Sequence, residues 1–123
     1  MSTQPDVEIY VKDADAQQVH AWLQQQFSQC SPWQQSGNIS RCNCDGIKVT
    51  WYAKAVGSWH SLLFDSPSTP WANDKACAVA AFDALGVEIR CAPSGWLEQQ
   101  GEADAERWLK INSQGSQEFI WRT

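Results

Sequence analysis

At the start of the chain Val7, Ile9 and Val11 are interleaved with Glu8, Tyr10 and Lys12, the period-two pattern of a strand with one buried face. The period then changes. Ala16, Val19, Leu23, Phe27 and Cys30 recur at helical spacing, with Gln17, Gln18, Gln24 and Gln25 on the opposite side. Asp15 and Gln18 stand at capping-box spacing, and Ser31-Pro32 ends the predicted helix. Residues 38–65 read as a three-stranded meander. Asp45-Gly46 is a two-residue hairpin signal between runs 39–44 and 47–53, and a second turn near Val56-Gly57 leads into 59–64. The register of that second turn leaves the face taken by His60 open.

Ser66-Pro-Ser-Thr-Pro70 opens a second helix, with Ser68 or Thr69 as its cap and Pro70 in its first turn. It runs from Ala72 to Leu85, and Gly86 stops it. Residues 87–91 alternate as another strand, which Pro93-Ser-Gly95 breaks. A third helix is expected from Glu102 to Ile111, because its early carboxylates favour a helix N-terminus. A turn at 113–116 and a last strand at 118–122 follow. The order β-α-β-β-β-α-β-α-β predicts an α+β fold, a two-layer sandwich with a mixed sheet of five to six strands and helices mainly on one face.

If both helices are crossovers between parallel strands, two helix N-termini, the Asp45 turn and the chain after Cys91 share one end of the sheet. Trp33 and Trp59 then lie at the other end. Ligands of open sheets gather beyond the carboxyl ends of parallel strands, where helix N-termini offer free amides. That expectation places a candidate ligand or partner surface around Asp45, Asp65, Ser68, Trp71 and Trp96.

Length and charge narrow the picture. The chain has 123 residues and a net charge of −5, with no basic run. A chain this long forms one domain, expected to span 1–123 with residues 1–6 as a flexible tail. Nucleic acid and anionic membrane both call for clustered Lys or Arg, so neither is an expected partner. No apolar stretch approaches the roughly 20 residues of a membrane span, and no basic start with an apolar run marks a secretory signal. Five cysteines, an odd number without scaffold spacing, read as reduced thiols of a cytoplasmic protein.

Cys42-Asn-Cys44 invites a metal or thiol-redox reading. Structural zinc wants two to four residues between paired cysteines and a second pair elsewhere, and neither is present. Across the Asp45-Gly46 turn, Cys44 should face Ile47 and Cys42 should face Val49, on the side of Trp51, so both are equally small core residues. Cys77 lies opposite Phe82 on a helix side rich in Ala76, Ala80, Ala81 and Ala84, a surface expected to pack on the C-terminal helix or a partner subunit. His20 and His60 accompany no nucleophile elbow, and no Gly-rich phosphate loop or HExxH is present, so no cofactor is implied.

Eight tryptophans remain. Trp22 and Trp108 in predicted helices, and Trp51 and Trp121 in predicted strands, are core positions. Trp33, Trp71 and Trp96 each follow Pro or Gly at an element boundary, where they either seal the core or form a binding surface. Three functions stay open: a non-enzymatic module binding a protein partner or forming a homodimer, a ligand-binding or enzymatic domain with a site near Trp71 and Trp96, and a thiol-redox or metal protein using Cys42 and Cys44.

Overall fold

The computed structural model describes residues 7–65, 69–71, 74–91 and 107–120. The elements run β1 (Val7–Val11), α1 (Ala16–Gln26), β2 (Gln34–Ser36), β3 (Ile39–Cys44), β4 (Ile47–Val56), β5 (Trp59–Asp65), α2 (Asp74–Leu85), β6 (Ile89–Cys91), β7 (Arg107–Asn112) and β8 (Gly115–Ile120). All eight strands join one sheet in the order β2-β3-β4-β5-β1-β6-β7-β8. The α+β class holds. The sheet is larger than the expected five to six strands, and antiparallel at every pairing rather than mixed.

The departure begins at β1, which sits between β5 and β6 and runs against both. β5 and β6 therefore run parallel to each other with β1 between them, so α2 is a crossover between parallel strands. The carboxyl ends of β5 and β6, at Asp65 and Cys91, share one end of the sheet. The expectation fails at α1, because β2 intervenes and β3 runs against β1. The turn after β1, at Asp13 to Asp15, lies where β5 begins, because Val11 faces His60. Asp65 lies at the opposite end, facing Lys48, three residues from the Asp45 turn. The expected gathering of Asp13–Asp15 with Asp45 and Asp65 is thus undone, while Asp45 and Asp65 do share an end.

Strand parity assigns every side chain to a face. Val7, Ile9 and Val11 of β1, Leu62 and Phe64 of β5, Val49 and Trp51 of β4, and Ile89 and Cys91 of β6 form the inner face, all buried. Both helices cover it, α2 lying over β1, β6 and β7 and against α1. The meander follows the sequence expectation: Cys44 faces Ile47 and Cys42 faces Val49, on the buried side. β2 was not expected. It is short, polar and exposed, pairing with β3 to form one edge of the sheet, a composition that discourages strand addition.

α1 opens with the expected capping box: the Gln18 N–H donates to Asp15 Oδ1 and the Asp15 N–H to Gln18 Oε1, each at 2.9 Å. It ends at Gln26, short of Cys30. Phe27 turns extended, and the next two amides, of Ser28 and Gln29, donate to the Asp45 carboxylate at 2.9 Å each. A carboxylate on the β3–β4 turn thus satisfies the chain leaving the helix, and Cys30 is left in an antiparallel bridge opposite Cys44.

α2 buries Cys77, Ala78 and Ala81 completely and leaves Val79 38% exposed. The small-residue side therefore faces the sheet and α1, since small side chains allow close approach; Phe82 and Leu85 pack at the margin. A C-terminal helix does not cover it, because 107–112 is strand β7. Trp108 and Lys110 alternate there with Leu109 and Ile111, and a turn at Ser113-Gln114 folds β8 back. Residues 102–106, which carried the helical signal, lie outside the described residues, as do residues 1–6, Ser68, the Pro93–Gly95 break, Trp96 and Trp121.

Candidate functional site on the outer face of the sheet

The face away from the helices carries Glu8, Tyr10 and Lys12 beside Arg90, Trp108, Lys110, Trp59, Ser61 and Phe119, by the register of β5, β1, β6, β7 and β8. It is an ordered array of rings and cations rather than a bare polar surface. The Arg90 guanidinium lies 4.1 Å from the Trp59 ring centroid and 4.6 Å from that of Phe119, so it is sandwiched between two rings on different strands. Lys12 approaches Trp59 at 5.7 Å and Lys110 approaches Phe119 at 5.5 Å. Tyr10 and Trp108 meet edge to face at 5.6 Å. A cation over a ring is attracted by the ring's negative face, and partial desolvation strengthens the contact.

Carboxylates orient the cations. Glu88 Oε2 receives Arg90 Nε at 3.2 Å, and Asn112 donates to Glu88 Oε1 at 3.3 Å. The Ser61 hydroxyl donates to Glu8 at 2.6 Å. Burial, and then the neighbouring Glu8 carboxylate, raise the Tyr10 phenol above its ordinary range, so it stays a neutral donor. With Arg41 and Lys48 further along the face, five basic residues stand here among the described residues against three carboxylates, Glu8, Glu88 and Asp65. That is an excess of two positive charges on a chain of net −5, so the remainder sums to −7.

The residues singled out from sequence take other places. Trp71 is only 8% exposed; its ring stacks on Trp22 at 5.4 Å and meets Phe64 at 5.0 Å and Phe27 at 5.9 Å, closing one end of the core. Trp33 is half-buried, donates Nε1–H to the Ala16 carbonyl at 2.8 Å and lies against His20. Asp45 is exposed, with both carboxylate oxygens engaged by backbone amides. Asp65 is exposed at the end of β5.

Two clefts lie among the described residues. One, of about 600 Å³, is lined by Gln24, Ser28, Cys30, Ser31, Asn43 and Asp45. The other, of about 540 Å³, is lined by Lys12, Asp13, Asp15, Lys54 and His60. His60 falls on the inner face, stacked on Trp51 at 4.9 Å, and its Nδ1 accepts the Lys54 N–H at 2.9 Å. That bond helps hold Lys54 at φ 54° in the irregular stretch of β4. Burial, with the Lys54 charge, lowers the His60 pKa. The neutral ring has its acceptor nitrogen in use and Asp15 is committed to the α1 cap, so neither is poised as a base.

Among the described residues no group of three or more His, Cys, Asp or Glu is arranged to hold a metal ion. No helix there is long and apolar enough to cross a membrane. The chain matches no known family model, no curated protein and no solved structure.

The outer-face residues were partly visible in the sequence. Glu8, Tyr10 and Lys12 alternate with an apolar face, and Arg90 does the same within 87–91. Trp108 is masked by the helical pattern of 102–111, and Phe119, in the expected last strand, meets Arg90 only through the strand order.

Proposed function

We propose that the protein is a small non-enzymatic module of the cytoplasm that binds an acidic segment of a partner protein at the outer face of its sheet. The observation that carries this reading is the Arg90 guanidinium held between Trp59 and Phe119 amid a local cationic excess. Trp, Tyr and Arg are the residue types that dominate interface energetics, and here they are already fixed by neighbours, which reduces the ordering cost on binding. Lys12, Lys48, Lys110 and Arg41 on the same face add positive charge that favours carboxylates. The net −7 carried by the rest of the chain disfavours a polyphosphate strand, whose charge extends well beyond one face. Five free thiols fit a reducing compartment.

The test is titration with a fluorescently labelled peptide rich in Glu and Asp with interspersed Phe, alongside a Lys-rich control peptide and a single-stranded oligonucleotide. Salt-sensitive binding of the acidic peptide alone, weakened about tenfold by Arg90→Ala, is expected, equivalent to about 1.4 kcal/mol. Tighter binding of the oligonucleotide, or an affinity unchanged in Arg90→Ala, would overturn the proposal.

A further inference from the structure

Three cysteines meet where the chain leaves α1. Cys30 is half-buried and lines the cleft beside Asp45; Cys44, opposite it, is fully buried; and Cys42 Sγ lies 3.8 Å from Cys44 Sγ. In the sequence, Cys42 and Cys44 are the pair that invites a redox reading. Two residues along a strand are about 6.6 Å apart at Cα, the outer limit for a disulfide. The Cys30–Cys44 pair is different. The Ser31 N–H donates to the Asn43 carbonyl at 2.8 Å and the Asp45 N–H to the Gln29 carbonyl at 2.9 Å, one bond on either side of the two cysteines. Cys30 and Cys44 therefore form a non-hydrogen-bonded antiparallel pair, in which Cα atoms stand about 4.5 Å apart and side chains are closest. That separation falls within the range disulfides span without backbone movement.

We propose that Cys30 and Cys44 are an oxidisable pair that forms a cross-strand disulfide on exposure to a low-molecular-weight disulfide. The Cys30 thiolate, at the cleft wall, attacks one sulfur of the oxidant; the oxidant's S–S bond breaks, one thiolate leaves and takes a proton from water, and a mixed disulfide remains on Cys30. Cys44 loses its proton to water and attacks Cys30 Sγ, expelling the second thiolate. Two protein thiols have then given up two protons and two electrons, and the oxidant is reduced to two thiols. The buried Cys44 thiol is pushed above the ordinary thiol range, first by burial, so this second step is the slow one. The product ties the exit of α1 to β3, across the wall of the cleft. Cys42 stays reduced, held on the same strand as Cys44.

The experiment is incubation of the native protein with oxidised glutathione, followed by thiol counting after unfolding and by non-reducing tryptic mapping. Cleavage after Lys12, Arg41 and Lys48 places Cys30 on peptide 13–41 and Cys42 with Cys44 on peptide 42–48. The expected result is loss of two of the five thiols and a 13–41/42–48 cross-link that fragmentation assigns to Cys44. Cys30→Ser, at a half-exposed position the fold tolerates, should retain all four of its remaining thiols. A link internal to 42–48, a cross-link through Cys42, or glutathione retained on Cys30 without closure would each overturn the proposal. Because oxidation is read on the chain itself, failure here leaves peptide binding to the outer face intact, and the reverse.

Discussion

On the inner side of β1 stand Val7, Ile9 and Val11; on its outer side, one residue away each time, stand Glu8 and Tyr10. The same five-residue strand thus serves two kinds of chemistry. The inner side is dry, and its stability comes from apolar area removed from water and from close packing. On the outer side, rings are covered by cations and cations by carboxylates, each contact worth a fraction of a buried side chain. The sheet teaches that exposure alone does not separate the two, since Trp59 on the outer face is 9% exposed, close to the 8% of Trp71 in the core. What separates them is the neighbours: Trp59 has Arg90 and Lys12, Trp71 has Trp22, Phe27 and Phe64.

The largest effect should come from the inner face. Phe64 is fully buried and touches both Phe27 and Trp71. Phe64→Ala removes a ring that three elements share, and about 3–5 kcal/mol of stability should be lost in urea unfolding. A loss below about 1 kcal/mol would show that the helices do not seal this end of the core. Next is Asp45, which lies at the end of the sheet rather than on either face. Asp45→Ala strands the amides of Ser28 and Gln29, which solvent can partly satisfy, so about 1–2 kcal/mol is expected. Asp45→Asn keeps one acceptor oxygen and should recover part of it. On the outer face, Arg90→Ala should cost about 1 kcal/mol or less in the same assay while weakening acidic-peptide binding about tenfold. Equal stability losses for Phe64→Ala and Arg90→Ala would break the distinction between the two faces.

These unequal roles explain what could be read from the chain. The inner face was legible because burial imposes a period: β1, the Asp45-Gly46 hairpin, the α1 cap and the pairing of Cys42 with Val49 all follow from local pattern. Strand order was not legible. The crossover rule holds for α2, which joins the parallel strands β5 and β6, but nothing in the local pattern shows that β1 inserts between them or that β2 reverses the direction of the meander. β7 was misread because Glu102, Asp104 and Glu106 give a helical signal that runs into Arg107–Asn112, where the alternation of Leu109 and Ile111 is the stronger constraint. Trp33 and Trp71 were singled out for their Pro neighbours, yet a boundary tryptophan gains most by closing a core end, as Trp71 does. The proposed site escaped because Arg90, Trp59 and Phe119 come together only through the strand order.

The smallest effects should be changes in slope with pH, from Asp74 at the start of α2 and His60 on the inner face. Asp74, in the first turn of α2, is pushed up to about 6 by burial, with the Glu8 charge adding to the rise. Its folded pKa exceeds its unfolded one, so its contribution is greatest below the ordinary carboxylate range and is lost as pH rises toward about 6. His60 has the opposite sign. Its pKa is lowered on folding, so its contribution is present above the ordinary histidine value and is lost as pH falls through the folded value. Protonating Nδ1 also removes the acceptor for the Lys54 N–H. Urea midpoints measured from pH 4 to 8 should therefore partly cancel in the native chain and separate in the variants. Asp74→Asn should leave the histidine slope alone, with stability rising with pH. His60→Asn, whose side-chain oxygen can take the place of Nδ1, should leave the carboxylate slope alone, with stability falling from pH 4 to 6. Solvent screening at the partly exposed Asp74 keeps its slope shallow. If either variant changed the slope in the other direction, the cost of charging these groups would not come from their burial.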